Sequence, residues 1–152
     1  MDLEQIFSMA GLLALAGWLL LVILPRNNIA RLVAGVVIPL LLSADYLILI
    51  ALNLQGAEGG FGSLADVAAL FEKPELLLAG WIHYLAFDLF IGGWEVRDSQ
   101  RHGIAHFVVI PSLVMTFMLG PIGLLFYFAI RTAKTRSLSL SRRSFSEGGE
   151  EA

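Results

Sequence analysis

The chain has 152 residues, 57% of them hydrophobic and 15% charged, with a mean hydropathy of +0.77. An average soluble domain is about 45 to 50% apolar, so this composition excludes an ordinary soluble fold. The net charge of -3 shows no sign of a nucleic-acid partner, and the absence of cysteine removes disulfides, thiolate ligands and cysteine nucleophiles, leaving histidine and carboxylate to supply any chemistry.

A helix needs about 20 apolar residues to cross about 30 Å of hydrocarbon, and four runs reach that length. The first covers residues 6–23 and stops at Pro25, whose ring cannot continue the ladder. It has no positive n-region and is too long for a signal segment, so it reads as a retained helix. Asn27 and Asn28 cap a second span, 30–52, with Pro39 as a kink and Asp45 in its second half. Residues 54–74 open with glycines, then place Phe61, Leu64, Val67, Ala68 and Phe71 at helical spacing, which predicts a short helix lying in the membrane interface. Pro74 starts a third span, 75–96; "RDSQR" then turns the chain into a fourth, 103–130, with Pro111 and Pro121 inside it. Residues 132–152 are too polar to bury anything and read as a disordered tail behind a single transmembrane domain, 1–131. The predicted fold is all-α: a polytopic four-transmembrane-helix bundle with one interfacial helix, its partners the lipid bilayer and a long apolar ligand.

With four spans, Arg26, Arg31, Arg97 and Arg101 fall on one side and Lys73, Arg131, Lys134, Arg136, Arg142 and Arg143 on the other. That count leans to cytoplasmic termini. A bacterial inner membrane is expected, or a plastid membrane if a leader has been removed.

Counting 1.5 Å per residue, Asp45, His83, Tyr84 and Asp88 fall within roughly 6 Å of the midplane. Glu95, Arg97, Asp98, Arg101, His102 and His106 gather at one interface. A charge within the bilayer costs at least about 2.5 kcal/mol, so these groups should face the bundle interior and find partners. Trp81, Tyr84, Asp88 and Glu95 share an arc of about 60° on the third helix, while His83 points roughly 100 to 160° away. A short antiparallel turn would bring Glu95 to His106, a pairing suited to proton exchange.

Structural alternatives stand beside each of these. Arg97, Asp98 and Arg101 could bridge one another at the headgroups, His102 could cap a helix, and His83 could hydrogen bond to Thr116 or Asp45. Asp45 and Asp88 are harder to explain structurally, because carboxylates in lipid are functional by default. A metal is open: Glu95, Asp98, His102 and His106 are suitable ligand types, with Glu95, His102 and His106 the nearest set, but no HExxH or ExxH pattern accompanies them. Haem held by two histidines is a further option. The midplane groups also fit proton or ion transport, for which four short helices would need a homodimer.

Residues 61–131, containing "GWIHYLAFDLFIGGWE" and "TFMLGPIGLL", resemble the characteristic block of the abscisic-acid-deficiency-four-like family, named for a plant plastid protein needed to make neoxanthin. The resemblance implies a small membrane protein acting on an epoxidised carotenoid. The plant reaction turns violaxanthin into neoxanthin: an epoxide opens as a proton leaves the neighbouring carbon, with no electrons consumed and no cofactor required. An acid, or a Lewis acid, at the epoxide oxygen and a base at the carbon are needed. A long carotenoid carries its polar rings near the interfaces, so Glu95 is the expected base and His106 the acid, with Arg97, Asp98 and Arg101 orienting them. Trp81, Tyr84 and Phe87 would line a groove for the polyene, with Asp88, His83, Asp45 and Thr116 in support. A competing assignment puts the chemistry at Asp88 and His83. The other class of function is a non-catalytic one, a carrier of pigment or quinone or an accessory to another enzyme.

Overall fold

A computed structural model describes residues 2 to 136. All its regular structure is helical. The first span, α1 (Leu3–Ile23), ends just before Pro25, and Asn27 restarts the chain: its side-chain oxygen accepts from the backbone N–H groups of Ile29 and Ala30 at 2.9 and 3.0 Å. α2 (Asn28–Leu32), a π-helical turn (Val33–Val37) and α3 (Ile38–Asn53) make one continuous helix of 26 residues, the second span. The π turn lies immediately before Pro39. Proline has no N–H to return to residue 35, and the ladder widens there to accommodate the loss. α4 (Leu64–Glu72) is capped by the Ser63 hydroxyl, which accepts from Asp66 N–H at 3.1 Å, and it leads into α5 (Pro74–Arg101).

α5 is the third span and the axis of the molecule; α1, the α2–α3 helix, α4, α6 and α7 all pack against it. Small residues allow the close crossings, as is usual between membrane helices. A Cβ on Gly93 would lie 2.6 Å from the Cα of Gly35, and one on Gly92 would lie 2.5 Å from the Trp18 ring. The contacts also fix directions. Phe7 meets Trp81 and Trp18 meets Gly92, so α1 runs parallel to α5. Gly35 meets Gly93 and Tyr46 meets His83, so α3 runs antiparallel.

The expected fourth span is replaced by two shorter helices, α6 (His106–Leu119) and α7 (Pro121–Thr135). Between them Gly120 has φ +54° and ψ -109°, a conformation glycine alone adopts cheaply, and Pro121 starts α7 at its first position, where a missing N–H costs nothing. The chain reverses there. Gly120 lies against Asp88 and Tyr84 at the middle of α5, whereas Tyr127 and Arg131 of α7 reach Asp98 near its end. α6 therefore descends to about mid-depth and α7 climbs back along it. Fourteen residues of α6 rise about 21 Å, too little for the hydrocarbon.

Among the described residues three helices are thus long and apolar enough to cross a membrane, with a re-entrant pair beside the third. Asp2 and Arg136 consequently stand at opposite ends of the bundle, not together as a four-span reading requires. Arg131 moves to the end that carries Arg97 and Arg101. Residues 97–101, expected to turn the chain, form the last turn of α5, and residues 132–135, expected in a polar tail, close α7. The rest of that tail, 137–152, lies outside the described residues.

Candidate functional site

Along α5 the polar residues recur on one face, and the re-entrant pair covers that face. Tyr84 comes first. Its hydroxyl donates to the Phe117 carbonyl at 3.0 Å, and its ring and the Asp88 carboxylate both lie over Gly120, where a Cβ would come within 3.2 to 3.5 Å of them. Asp88 is half-buried, and its Oδ2 is buried without a hydrogen-bond partner among the described residues. Two turns further on, Glu95 is fully buried; Oε1 accepts from the Thr116 hydroxyl at 2.9 Å and Oε2 has no partner among the described residues. A Cβ on Gly123 would lie 2.0 Å from the Thr116 backbone nitrogen, so α7 presses α6 onto Glu95 with no room to spare.

The seam ends in a network that does have its partners. Asp98, 3% exposed, accepts on Oδ2 from Tyr127 Oη and from Arg131 Nε, both at 2.7 Å. Arg131 and Tyr127 are themselves fully buried. His102 caps α5: its Nδ1 donates to the Asp98 carbonyl at 2.9 Å, and its Nε2 lies 3.4 Å from Arg131 Nη2. Trp94 packs edge-on to Tyr127, closing that end against lipid.

Below the hairpin tip the face of α5 that carries the stripe is no longer covered by α6 and α7. Two shallow recesses, of about 410 and 400 Å³, meet at Trp81. One lies against Leu3 and Phe7 of α1; the other is lined by Phe71, Leu77, Gly80, Trp81 and Tyr84. Tyr84 thus belongs both to an aromatic recess open to the bilayer and to the carboxylate seam above it.

The stripe Trp81, Tyr84, Asp88 and Glu95 falls on one face as its spacing predicts, and Thr116 joins it. Other expectations fail. Glu95 and His106 do not pair: His106 Nε2 donates to the Val22 carbonyl on α1 at 2.9 Å, because α6 presents Thr116, not His106, to Glu95. Glu95, His102 and His106, the nearest ligand set should a metal bind, are not brought together, and among the described residues no three of the ligating types are. Phe87 stacks on His83 and lines a separate recess against α3, not the one formed by Trp81 and Tyr84. Asp45 and His83 both lie on the outer surface, not inside the bundle. Asp98 is held by α7, while Arg101 is exposed and Arg97 half-buried at the same end. Tyr127 and Arg131 join the site without a local sequence signal of their own; the Gly120–Pro121 dipeptide is the one mark of the reversal that brings them in.

A model of the ABA DEFICIENT 4-like family matches residues 5–127. The chain belongs to that family. The match takes in most of α1, the α2–α3 helix and residues 61–127 of the 61–131 block, and with them α5 and the hairpin tip. No curated protein and no solved structure matches the chain. For this ABA DEFICIENT 4-like protein, the family and its apolar helices fit a membrane protein related to neoxanthin synthesis.

Proposed function

We propose that this protein isomerises an epoxidised carotenoid or a related isoprenoid by acid/base chemistry at the tip of the re-entrant hairpin. The observation that carries the reading is the Asp88 carboxylate: a mid-depth acid with a buried, unpartnered oxygen, one turn above the aromatic recess and beside the Tyr84 hydroxyl. The polyene lies along Trp81 and Tyr84, and one epoxide-bearing ring reaches Asp88. Asp88 takes the proton from the carbon next to the epoxide, the electron pair of that C–H bond becomes a new C=C bond, and the C–O bond breaks. Tyr84 gives the opened oxygen its proton and is reprotonated from Asp88, so the cycle closes with no net proton or electron. Glu95, buried behind Thr116, holds the seam's second exchangeable proton. This assignment moves the chemistry from Glu95 and His106 to the mid-depth groups. The protein sits in a bacterial inner membrane with its arginine-rich end toward the cytoplasm.

The test is turnover of violaxanthin by protein in nanodiscs, followed by chromatography. Asp88→Asn is expected to abolish product, and Tyr84→Phe to slow it by about 10²-fold, within the usual contribution of a general acid. A coloured complex that forms without turnover would sink the catalytic reading in favour of a carrier or accessory protein.

A further inference from the structure

Asp45 and His83 play no part in the seam, yet both lie within the membrane on the outside of the molecule. Tyr46 packs edge-on to His83 with ring centroids 5.5 Å apart, and Gly35 sits on Gly93, so the register puts Asp45 at the level of Tyr84. That is about 6 Å from the middle of the bundle, well inside the hydrocarbon. Asp45 is exposed, among Leu41, Ile48 and Leu52, which are 52, 56 and 75% exposed. It makes no hydrogen bond or ion pair with any described residue. An ionisable group facing acyl chains at this depth is unfavourable and calls for a partner. The exposed side of α1 between Met9 and Leu19, by contrast, carries Met9, Leu12, Leu15 and Leu19 and no ionisable group, as a lipid contact should.

His83 is the matching group. It too is exposed; its ring is stacked on Phe87 at 4.6 Å and held by Tyr46, but neither ring nitrogen is hydrogen bonded to a described residue. At about 100° per residue, Asp45 lies on the flank of α3 toward α1 and Tyr46 on the flank toward α5, so the carboxylate and the imidazole border the exposed α3 ridge from opposite sides.

We propose that the α3 face binds a second copy of this chain about a two-fold axis along the membrane normal, each Asp45 accepting a hydrogen bond from the partner's His83. Such an axis leaves every residue at its own depth, and it sets one flank of a ridge against the opposite flank of its copy, so both pairs form at once. The ridge residues Leu41 and Ile48 fill the space between. A cavity of about 230 Å³ between Leu40 and the rings of Phe87 and Phe90 receives side chains of the partner's ridge.

The chain has no cysteine, which makes the test direct. Ile48→Cys in nanodiscs is expected to cross-link into a disulfide dimer, and Leu12→Cys on α1 is expected not to. In detergent, Asp45→Leu and His83→Leu should each weaken the dimer by about tenfold or more. The exchange Asp45→His with His83→Asp should restore it. Circular dichroism of the Asp45→Leu variant checks that the monomer stays folded. A monomeric wild-type protein, cross-linking through Leu12→Cys, or a dimer indifferent to Asp45→Leu would each overturn the proposal.

Discussion

Asp98 illustrates what burial asks of a single side chain. It lies near the end of the third span, almost without solvent, and Arg131 and Tyr127 supply its donors from a helix that reaches it only because the chain has turned back. Removing one member of such a pair leaves the other charge stranded, which typically costs about 3 to 5 kcal/mol. Arg131→Met is therefore expected to lower stability by about that amount in denaturant unfolding of the reconstituted protein. The double variant Asp98→Asn with Arg131→Met should recover most of the loss, since no charge is left uncompensated. A loss below about 1 kcal/mol for Arg131→Met would mean that Asp98 finds water or another cation. The α5 stripe was legible in the sequence because four polar and aromatic residues on one helix obey one period. Asp98's partners were not, because they lie on another helix whose direction no local period reports. The outward direction of Asp45 is illegible for a related reason: hydropathy gives depth, but not whether a side chain faces the bundle or the bilayer.

At the scale of the element, the hairpin decides the site. α6 and α7 are too short to cross and are joined at a glycine with positive φ, so the polar face of α5 is covered only as far down as Gly120 and the aromatic recess stays open beneath. The legs meet at Gly123, where any Cβ would strike the Thr116 backbone, which cannot rotate away as a side-chain tip can. Gly123→Ala is expected to force the legs apart, destabilise the fold by about 1 to 3 kcal/mol as overpacking does, and break the Thr116–Glu95 hydrogen bond. Gly11→Ala on α1, where a Cβ would meet nothing within 4 Å, is the matched control and should be neutral or slightly stabilising. Equal effects of the two in thermal unfolding would show that the legs are not in tight contact. Sequence hydropathy merged α6 and α7 into one span because both are apolar and their junction is a single dipeptide. A proline inside an apolar run marks a kink as readily as a reversal; Pro111 stays within α6, while Pro121 begins a new helix.

Reversing the last helix rearranges the charge of the whole molecule. With three spans and a returning hairpin, Arg26, Arg31, Arg97, Arg101, Arg131, Lys134 and Arg136 share one end, where Gln100 ties the strapping together by accepting from Arg31 and donating to the Pro25 carbonyl. The other end carries Asp2, Glu4, Glu58, Asp66, Glu72 and Glu75, with Lys73 as its basic residue, bonded to the Asn53 carbonyl at 3.0 Å. Among the described residues the basic side chains divide four and four under a four-span topology and seven and one under this one, so the positive-inside rule supports the proposed placement of the arginine-rich end toward the cytoplasm. Single cysteines in an otherwise cysteine-free chain can read this out with a membrane-impermeant maleimide in intact bacterial cells. Glu58→Cys is expected to label without permeabilisation, and both Arg101→Cys and Lys134→Cys only after it. Lys134 is the decisive position: a fourth complete span would carry it across to label with Glu58, whereas the hairpin keeps it with Arg101. Labelling of Lys134→Cys on the Glu58 side would remove the reversal at Gly120, and with it the half-covered α5 face on which the proposed chemistry depends.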